Sequence, residues 1–546
     1  MADELEVRDG IRAALDARRN FLVEAGAGAG KTTALVEALL YLLDTRRQTL
    51  EQAGKKIACI TYTNVAKHQI KQRIAEDPLV YVGTIHEFLW SLIQGHQREL
   101  LDALIEYNRG LPRPQDMAEL ASGLRIEYHD RGRRFADGKI SHDEVLALAS
   151  TLIGSHPKLA RIIAHRYPVI FVDEYQDTFR TTITLLLEHI ATAVGSTSTV
   201  GFFGDSMQKI YNTGVGALQR DDVVTLTMHG NHRCAKPIVE VLNKIRPELI
   251  QQPDADKTDG EVRLFLKLPG ADDQNPVHRA RVALDACGWP ATGVKFLSLT
   301  HRSIATAHGY PNLLQLYSKR GSNGRDDLLE GTEPYAQFMK DIEELCAAYE
   351  AQEYAHLTAL LGTSPLTIRK HTDKARINGV LQEITSIRST GTVGDVLDAV
   401  TRTKLITPPG RVRSIERTLG AEGLDERAQK DAEFAAHLRG IDYREVVRLT
   451  QYRNELTPFS TQHGVKGDQF ENVVVMIDDS AWNQFNVDRM LTGDDHLTER
   501  VSRSRNLFYV CCSRAIRRLA VVFVTPLSPG SEAVARQWFS GGAVHD

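Results

Sequence analysis

Short apolar runs alternate with stretches of helical spacing along this chain. Phe21-Leu22-Val23 is an apolar run of strand length; small residues follow it, and Thr33 to Leu40 then repeats apolar positions at a helical period. Tyr167-Pro168-Val169-Ile170-Phe171-Val172 is β-branched and aromatic, which suits a parallel strand buried on both faces. Later, the alternation in Glu261-Val262-Arg263-Leu264-Phe265-Leu266 predicts a strand, Val294 to Leu299 continues the same domain, and Leu519 to Val524 is a last strand. Between about 320 and 455 the pattern is helical, for example Asp425 to Leu449. Strands interleaved with helices place the chain in the α/β class.

Chemistry enters where the first strand ends. Ala25-Gly26-Ala27-Gly28-Ala29-Gly30-Lys31-Thr32 lies between the predicted strand and helix, the context a phosphate-binding loop requires. Small residues let backbone N–H groups curl around phosphate oxygens, and the following helix N-terminus adds partial positive charge. Gly26, Ala27, Gly28, Ala29, Gly30, Lys31, Thr32 and Thr33 form the expected nucleotide-binding set, with Lys31 on the β- and γ-phosphates and Thr32 on Mg2+. The strand at 167–172 delivers Asp173-Glu174-Tyr175-Gln176-Asp177. Carboxylates at a strand's C-terminal end stand at the active edge of a parallel sheet. Asp173 is expected to hold the metal ion and Glu174 to polarise the attacking water as general base.

Composition narrows the setting. The 546 residues are 42% hydrophobic and 25% charged, ordinary for globular protein, and imply about three or four domains. No apolar run is long enough to span a membrane and the first ten residues are polar, so a cytoplasmic location is expected. The six cysteines are scattered, without disulfide or zinc-site spacing. A net charge of −4 confines any nucleic-acid surface to a local stripe.

Further segments in order resemble the motifs of the UvrD/Rep group of superfamily 1 helicases. Ile57 to Asn64 looks like motif Ia, Gly83-Thr84-Ile85-His86 like the next DNA-facing motif, and Asp173 to Asp177 like motif II; Gly204 to Tyr211 resembles motif III and Asn231-His232-Arg233 motif IV. Thr461 to Phe470 resembles motif V and Arg505 to Ala515 motif VI. The resemblance implies two RecA-like P-loop NTPase domains, residues 1–86 with 156–245 and 246–320 with 456–546, and two mainly helical insertions, 87–155 and 321–455. It implies ATP-driven movement on single-stranded DNA, in the 3′ to 5′ direction. By the same resemblance Gln208 senses the γ-phosphate, and Arg233 and Arg514 are arginine fingers reaching across the cleft between the RecA-like domains. Thr61, Tyr62, Thr63, Asn64, Thr84, His86 and His463 form the expected DNA-binding set, Tyr62 by stacking on a base.

Several positions depart from the group's pattern. The adenine-reading glutamine is missing from Val7 to Arg12, His232 stands where a tyrosine stacks on the base, and Gln469 where a glutamate holds the ribose. Three weakened contacts lead to the expectation that GTP and other triphosphates are hydrolysed almost as readily as ATP. The motif III tryptophan is absent after Tyr211, which leaves two outputs open: a translocating helicase, or a DNA-activated NTPase that works as a switch with little unwinding. Basic stretches in the second insertion, such as Arg411-Val412-Arg413, suit duplex DNA or a partner protein as well as a solvated face. Leu299 to Arg302 and Thr461 to Gly467 also look similar to the helicase subunits of bacterial Gabija anti-phage systems, a family that pairs with an OLD-type ATP-dependent endonuclease. About thirty residues follow motif VI, so any nuclease is expected on another chain.

Overall fold

The computed structural model describes residues 2–112, 114–115, 125–129, 133–193, 195, 198–209, 214–266, 276–298, 301–321, 323–361, 371–454, 459–461, 468–479 and 485–546. The chain divides into two compact units: Met1–Arg263 with Phe485–Leu519 and Pro529–Ala543, and Leu264–Gln484 with Ala520–Ser528 and Val544–Asp546.

The first unit is built on six strands, β1 (Asn20–Ala25), β2 (Ile57–Thr61), β3 (Val80–Thr84), β4 (Val169–Asp173), β5 (Thr199–Gly204) and β6 (Val223–Met228). Their order is β3-β2-β4-β5-β1-β6 and every neighbouring pair is parallel. A wholly parallel sheet sends all its carboxyl ends to one edge. The glycine loop after β1, Thr61, Thr84, Asp173 and Gly204 therefore share that edge although the chain spreads them over 180 residues.

Side-chain alternation explains why these strands are buried on both faces. Phe21, Val23, Phe171 and Phe203 join Val7 and Ile11 of α1 (Ala2–Asp16) and Leu35, Leu39 and Leu42 of α2 (Lys31–Gln52) in one core. Leu22, Ile170 and Val172 pack on the opposite face with Phe88, Leu89 and Leu148. On the first face Phe21, Phe171 and Phe203 meet edge to face, with centroids 5.4 to 6.0 Å apart. Three more helices start at the functional edge or close over it: α3 (Asn64–Arg73), α4 (Ile85–Ile93) and α5 (His142–Ser155). Capping boxes, Thr84 with Glu87 and Ser141 with Glu144, fix where α4 and α5 begin. Helices α4 and α5, which carry much of the insertion expected at 87–155, share the second of these cores with the sheet. Two later helices complete what the site uses, α6 (Lys236–Ile245) and α7 (Thr498–Cys512).

A second six-stranded sheet contains β7 (Glu261–Phe265), β8 (Val294–Ser298), β9 (Phe459–Thr461), β10 (Phe470–Ile477), β11 (Ala515–Phe523) and β12 (Ala543–His545), in the order β9-β8-β10-β11-β7-β12. The second unit carries a helical core that includes Tyr317, Phe338, Ile342, Leu381 and Leu438. The α/β class and the predicted strands hold. The helical stretch expected at Asp425 to Leu449 is made of two helices, Glu426–Arg439 and Arg444–Arg453. Its interruption is tertiary in origin: Val393 N–H donates to the Ile441 carbonyl at 2.8 Å, Tyr443 N–H to the Gly391 carbonyl at 3.0 Å, and Asp442 caps the restart by accepting from Arg444 N–H at 2.9 Å. The adjacent Cys511 and Cys512 end a buried helix, and among the described residues no helix is long and apolar enough to cross a membrane.

Candidate active site

The loop between β1 and α2 takes its shape from two left-handed glycines, Gly28 at φ 75° and Gly30 at φ 82°. A Cβ on Gly28 would lie 2.7 Å from the Arg233 Cβ, so the loop needs glycine there for space as well as conformation. Three neighbours hold the loop. Ala27 N–H donates to the Tyr509 hydroxyl at 3.0 Å, Gln251 Nε2 donates to the Ala27 carbonyl at 3.0 Å, and His232 N–H donates to the Gly28 carbonyl at 3.0 Å. Lys31 opens α2, with Thr32 and Thr33 in the same first turn.

Lys31 Nζ stands 2.5 Å from Glu174 Oε1 and 3.9 Å from Asp173 Oδ1. Burial opposes the lysine's charge, but the two carboxylates outweigh it and hold the Lys31 pKa above its ordinary value. Glu174 sits in the left-handed region at φ 52°, a conformation that costs a non-glycine residue energy and occurs here at the acid beside the loop. Its other oxygen accepts from Gln176 Nε2 at 2.5 Å. The loop lysine and the strand-end acids thus lie together.

Both arginines reach the same place. Arg514 is buried, donates from Nη2 to Gln208 Oε1 at 3.0 Å and from Nε to the Val510 carbonyl at 3.0 Å. Burial, reinforced by Arg233, lowers its pKa to about 10, which still leaves it charged near neutral pH. Arg233 Nη1 donates to the Ser513 carbonyl at 3.1 Å, and Gln208 Nε2 donates to Asp205 Oδ2 at 2.8 Å. Helix α7 and Arg514 fall in the same compact unit as the glycine loop.

Behind these groups runs a buried network that sequence reasoning did not find. Arg246, just past α6, donates to Asp205 Oδ1 and to Glu24 Oε1, each at 2.6 Å, and lies over the Tyr509 ring. Tyr175 donates its hydroxyl to Glu24 Oε2 at 2.7 Å. Burial pushes the Asp205 pKa up, against the pull of Arg246. Glu24 carried a signal: a carboxylate inside Phe21 to Ala25 has to be paired once that strand is buried. Arg246, Gln251 and Tyr509 carried none.

Beside the loop a cavity of about 290 Å³ is lined by Val7, Arg8, Ile11, Gly30, Tyr41 and His232, among others. The His232 ring is held from two sides, Nε2 at 2.5 Å from Glu4 and Nδ1 at 2.8 Å from Asp254. Gln469 is exposed and belongs to the second unit. His463, Lys466 and Tyr211 lie outside the described residues.

A second cavity, of about 320 Å³, is lined by Thr61, Tyr62, Thr63, Asn64, Thr84 and His86, and also by Asp173, Asp177, Phe179 and His142. Every described residue of the expected DNA-binding set is therefore in one groove. Tyr62 is 37% exposed and so is not a core tyrosine. Thr63 and Thr84 also cap α3 and α4, so their hydroxyls have structural work. His142 meets the His86 ring at 4.3 Å and was missed because Ser141-His142-Asp143-Glu144 reads as a helix start. Since Asp173 borders this groove and also neighbours Lys31, a ligand here touches the same loop that carries the acids.

Comparisons with known proteins fit this geometry. A family model described as the UvrD/REP helicase N-terminal domain matches residues 8–111 and 103–213. The chain is similar to the Gabija protein GajB of Bacillus cereus (strain HuB5-5), 24% identical over 93% of this chain and 94% of that protein. It is also similar to the ATP-dependent DNA helicase UvrD1 of Mycobacterium leprae (strain TN), 23% identical over 41% of this chain and 37% of UvrD1. The ATP-dependent DNA helicase PcrA of Bacillus subtilis (strain 168) is 22% identical over the same 41% and 37% shares.

Proposed function

We propose that the chain is a UvrD/Rep-like helicase of the DNA-dependent ATPase class that couples nucleoside triphosphate hydrolysis to 3′ to 5′ movement on single-stranded DNA. The observation that carries this reading is the joint assembly, in one unit, of the glycine loop with Lys31, the acids Asp173 and Glu174, and the Gln208–Arg514 pair. In this reading residues 1–86 and 156–245 are one RecA-like domain, 246–320 with 456–546 the other, and 87–155 and 321–455 the insertions.

Lys31 pairs with Glu174. An entering γ-phosphate competes for the ammonium, which leaves the Glu174 carboxylate free to accept a proton from an attacking water. The loop N–H groups and Lys31 hold the β- and γ-phosphates. The Thr32 hydroxyl and the Asp173 carboxylate are hard oxygen donors of the kind that suits Mg2+, which when bound neutralises phosphate charge. Arg514, turned from Gln208 toward the phosphates, and Arg233 stabilise the charge of the transition state. His232 offers its ring to the base.

The groove at Thr61 to Asn64 holds the strand, with Tyr62 as a stacking plate. Tyr62→Ala is expected to weaken single-strand binding by roughly 5- to 150-fold, the equivalent of the ~1–3 kcal/mol of one stacked base. A titration of labelled oligonucleotide checks it; unchanged affinity removes Tyr62 from the path.

With the adenine-reading glutamine absent, GTP is expected to be hydrolysed nearly as well as ATP, and Gln469 to hold the ribose weakly. Steady-state phosphate release with each triphosphate tests this, and an ATP preference of about a hundredfold or more in kcat/KM contradicts it.

Similarity to the Gabija protein along most of the chain supports a place in an anti-phage assembly in the cytoplasm, with an OLD-type endonuclease as partner. The missing motif III tryptophan favours, as the second reading, a DNA-gated NTPase that signals with little unwinding. Co-purification of the chain with such an endonuclease, together with strand separation of a 3′-tailed duplex, discriminates between the two.

A further inference from the structure

We propose that the single strand held in the groove continues over the insertion along a file of four rings, His86, His142, Tyr128 and Trp90, on which its bases stack. This rests on the strand-binding reading above and extends it beyond the groove. The file has a local origin in the sequence. His86 and Trp90 are four residues apart on α4 and so share one face of that helix. The two-residue strand Glu127–Tyr128 pairs in parallel with Lys139–Ile140, and the chain runs from there straight through Ser141 into α5, which begins at His142. Tyr128 and His142 are thereby set side by side, with the tyrosine hydroxyl 3.2 Å from His142 Nε2.

Ring centroids are 4.3 Å apart between His86 and His142, 5.4 Å between His142 and Tyr128, and 6.3 Å between Tyr128 and Trp90. His86 and His142 line the groove together with Tyr62, whereas Tyr128 and Trp90 stand beyond its lining. The file therefore starts inside the groove and leads out of it. His142 is exposed and the other three residues are half-buried, Tyr128 and Trp90 packed against the core that holds Phe88, Leu89, Ile126 and Ile140. A ring that a core already holds, yet that keeps part of its surface open, loses little freedom when a base settles on it. Single surface aromatics are ordinary, but four in file, continuous with a strand-binding groove, suit one occupant. Every base has a π-face, so such a track accepts a moving strand of any sequence.

Photocrosslinking tests the path on the intact, unmodified chain. Single-stranded DNA carrying 5-iodouracil, which couples to nearby aromatic side chains on irradiation, is bound and irradiated, and the joined peptides are identified by mass spectrometry. Coupling is expected at Tyr62 in the groove and also at Tyr128 or Trp90. Affinity is then compared for two strand lengths, one that fills the groove alone and one that reaches across the file. Tyr128→Leu combined with Trp90→Leu keeps apolar packing and removes both outer rings. This variant is expected to bind the longer strand about tenfold or more weakly and the shorter one within about twofold of the unmodified protein. Coupling at Tyr62 with none at Tyr128 or Trp90 overturns the inference without need of a variant. An undiminished affinity for the longer strand, or a loss of equal size on both lengths, overturns it too. Failure to bind or couple to single-stranded DNA anywhere would instead bring down the strand-binding reading, and this inference with it.

Discussion

Glu174→Gln is expected to cut DNA-stimulated phosphate release by ~10²- to 10⁴-fold while triphosphate binding is kept or improved. The amide matches the carboxylate in size and can still accept from Lys31, so the loop keeps its shape. It cannot take a proton from water. Because Lys31 pairs with Glu174 at 2.5 Å, removing the carboxylate's charge also removes the phosphate's competitor for that ammonium. Turnover and affinity should therefore move in opposite directions, which a merely destabilised variant would not do. Phosphate release and fluorescent-nucleotide binding on the same preparation check this. Full activity in Glu174→Gln contradicts the assignment of the general base.

Arg514→Ala is expected to lower turnover by ~10³-fold or more, the usual size of an arginine-finger effect, with triphosphate binding largely retained. Its guanidinium is buried on Gln208 Oε1 and the Val510 carbonyl, and burial lowers its pKa to about 10. A charge kept at such a site is a weak source of stability and an effective source of transition-state stabilisation. Comparison with Arg514→Lys separates charge from geometry, since lysine restores the charge without the planar fork. Loss of activity in both, with an unchanged melting temperature, supports the role. Retained turnover in Arg514→Ala removes it.

What could be read along the chain was what is local. A glycine loop between an apolar run and a helix, and two acids at the end of a β-branched strand, are fixed by a few consecutive residues, and both sit where expected. The parallel order of six strands then explains why Thr61, Thr84 and Asp173 share an edge. Tertiary facts were hidden. Tyr62 could have been core or surface, because an aromatic beside polar residues fits either. His142 looked like part of a helix cap and nothing more. Gln251 and Tyr509 hold the loop, and Arg246 the strand before it, from 220 or more residues downstream, and no spacing rule reaches that far. The same distance hid the packing of Phe485–Leu519 into the first unit, which brings Arg514 to Gln208. The split of the helix after Arg439 arose likewise from backbone pairing with residues 391–393.

The most direct test of the account is ATP hydrolysis measured with and without single-stranded DNA on one preparation of the intact chain. The account predicts a low basal rate that rises strongly on adding DNA, because the strand-binding groove and the catalytic acids share Asp173 and its loop. A rate that is the same with and without DNA, or no hydrolysis in either case, would contradict it.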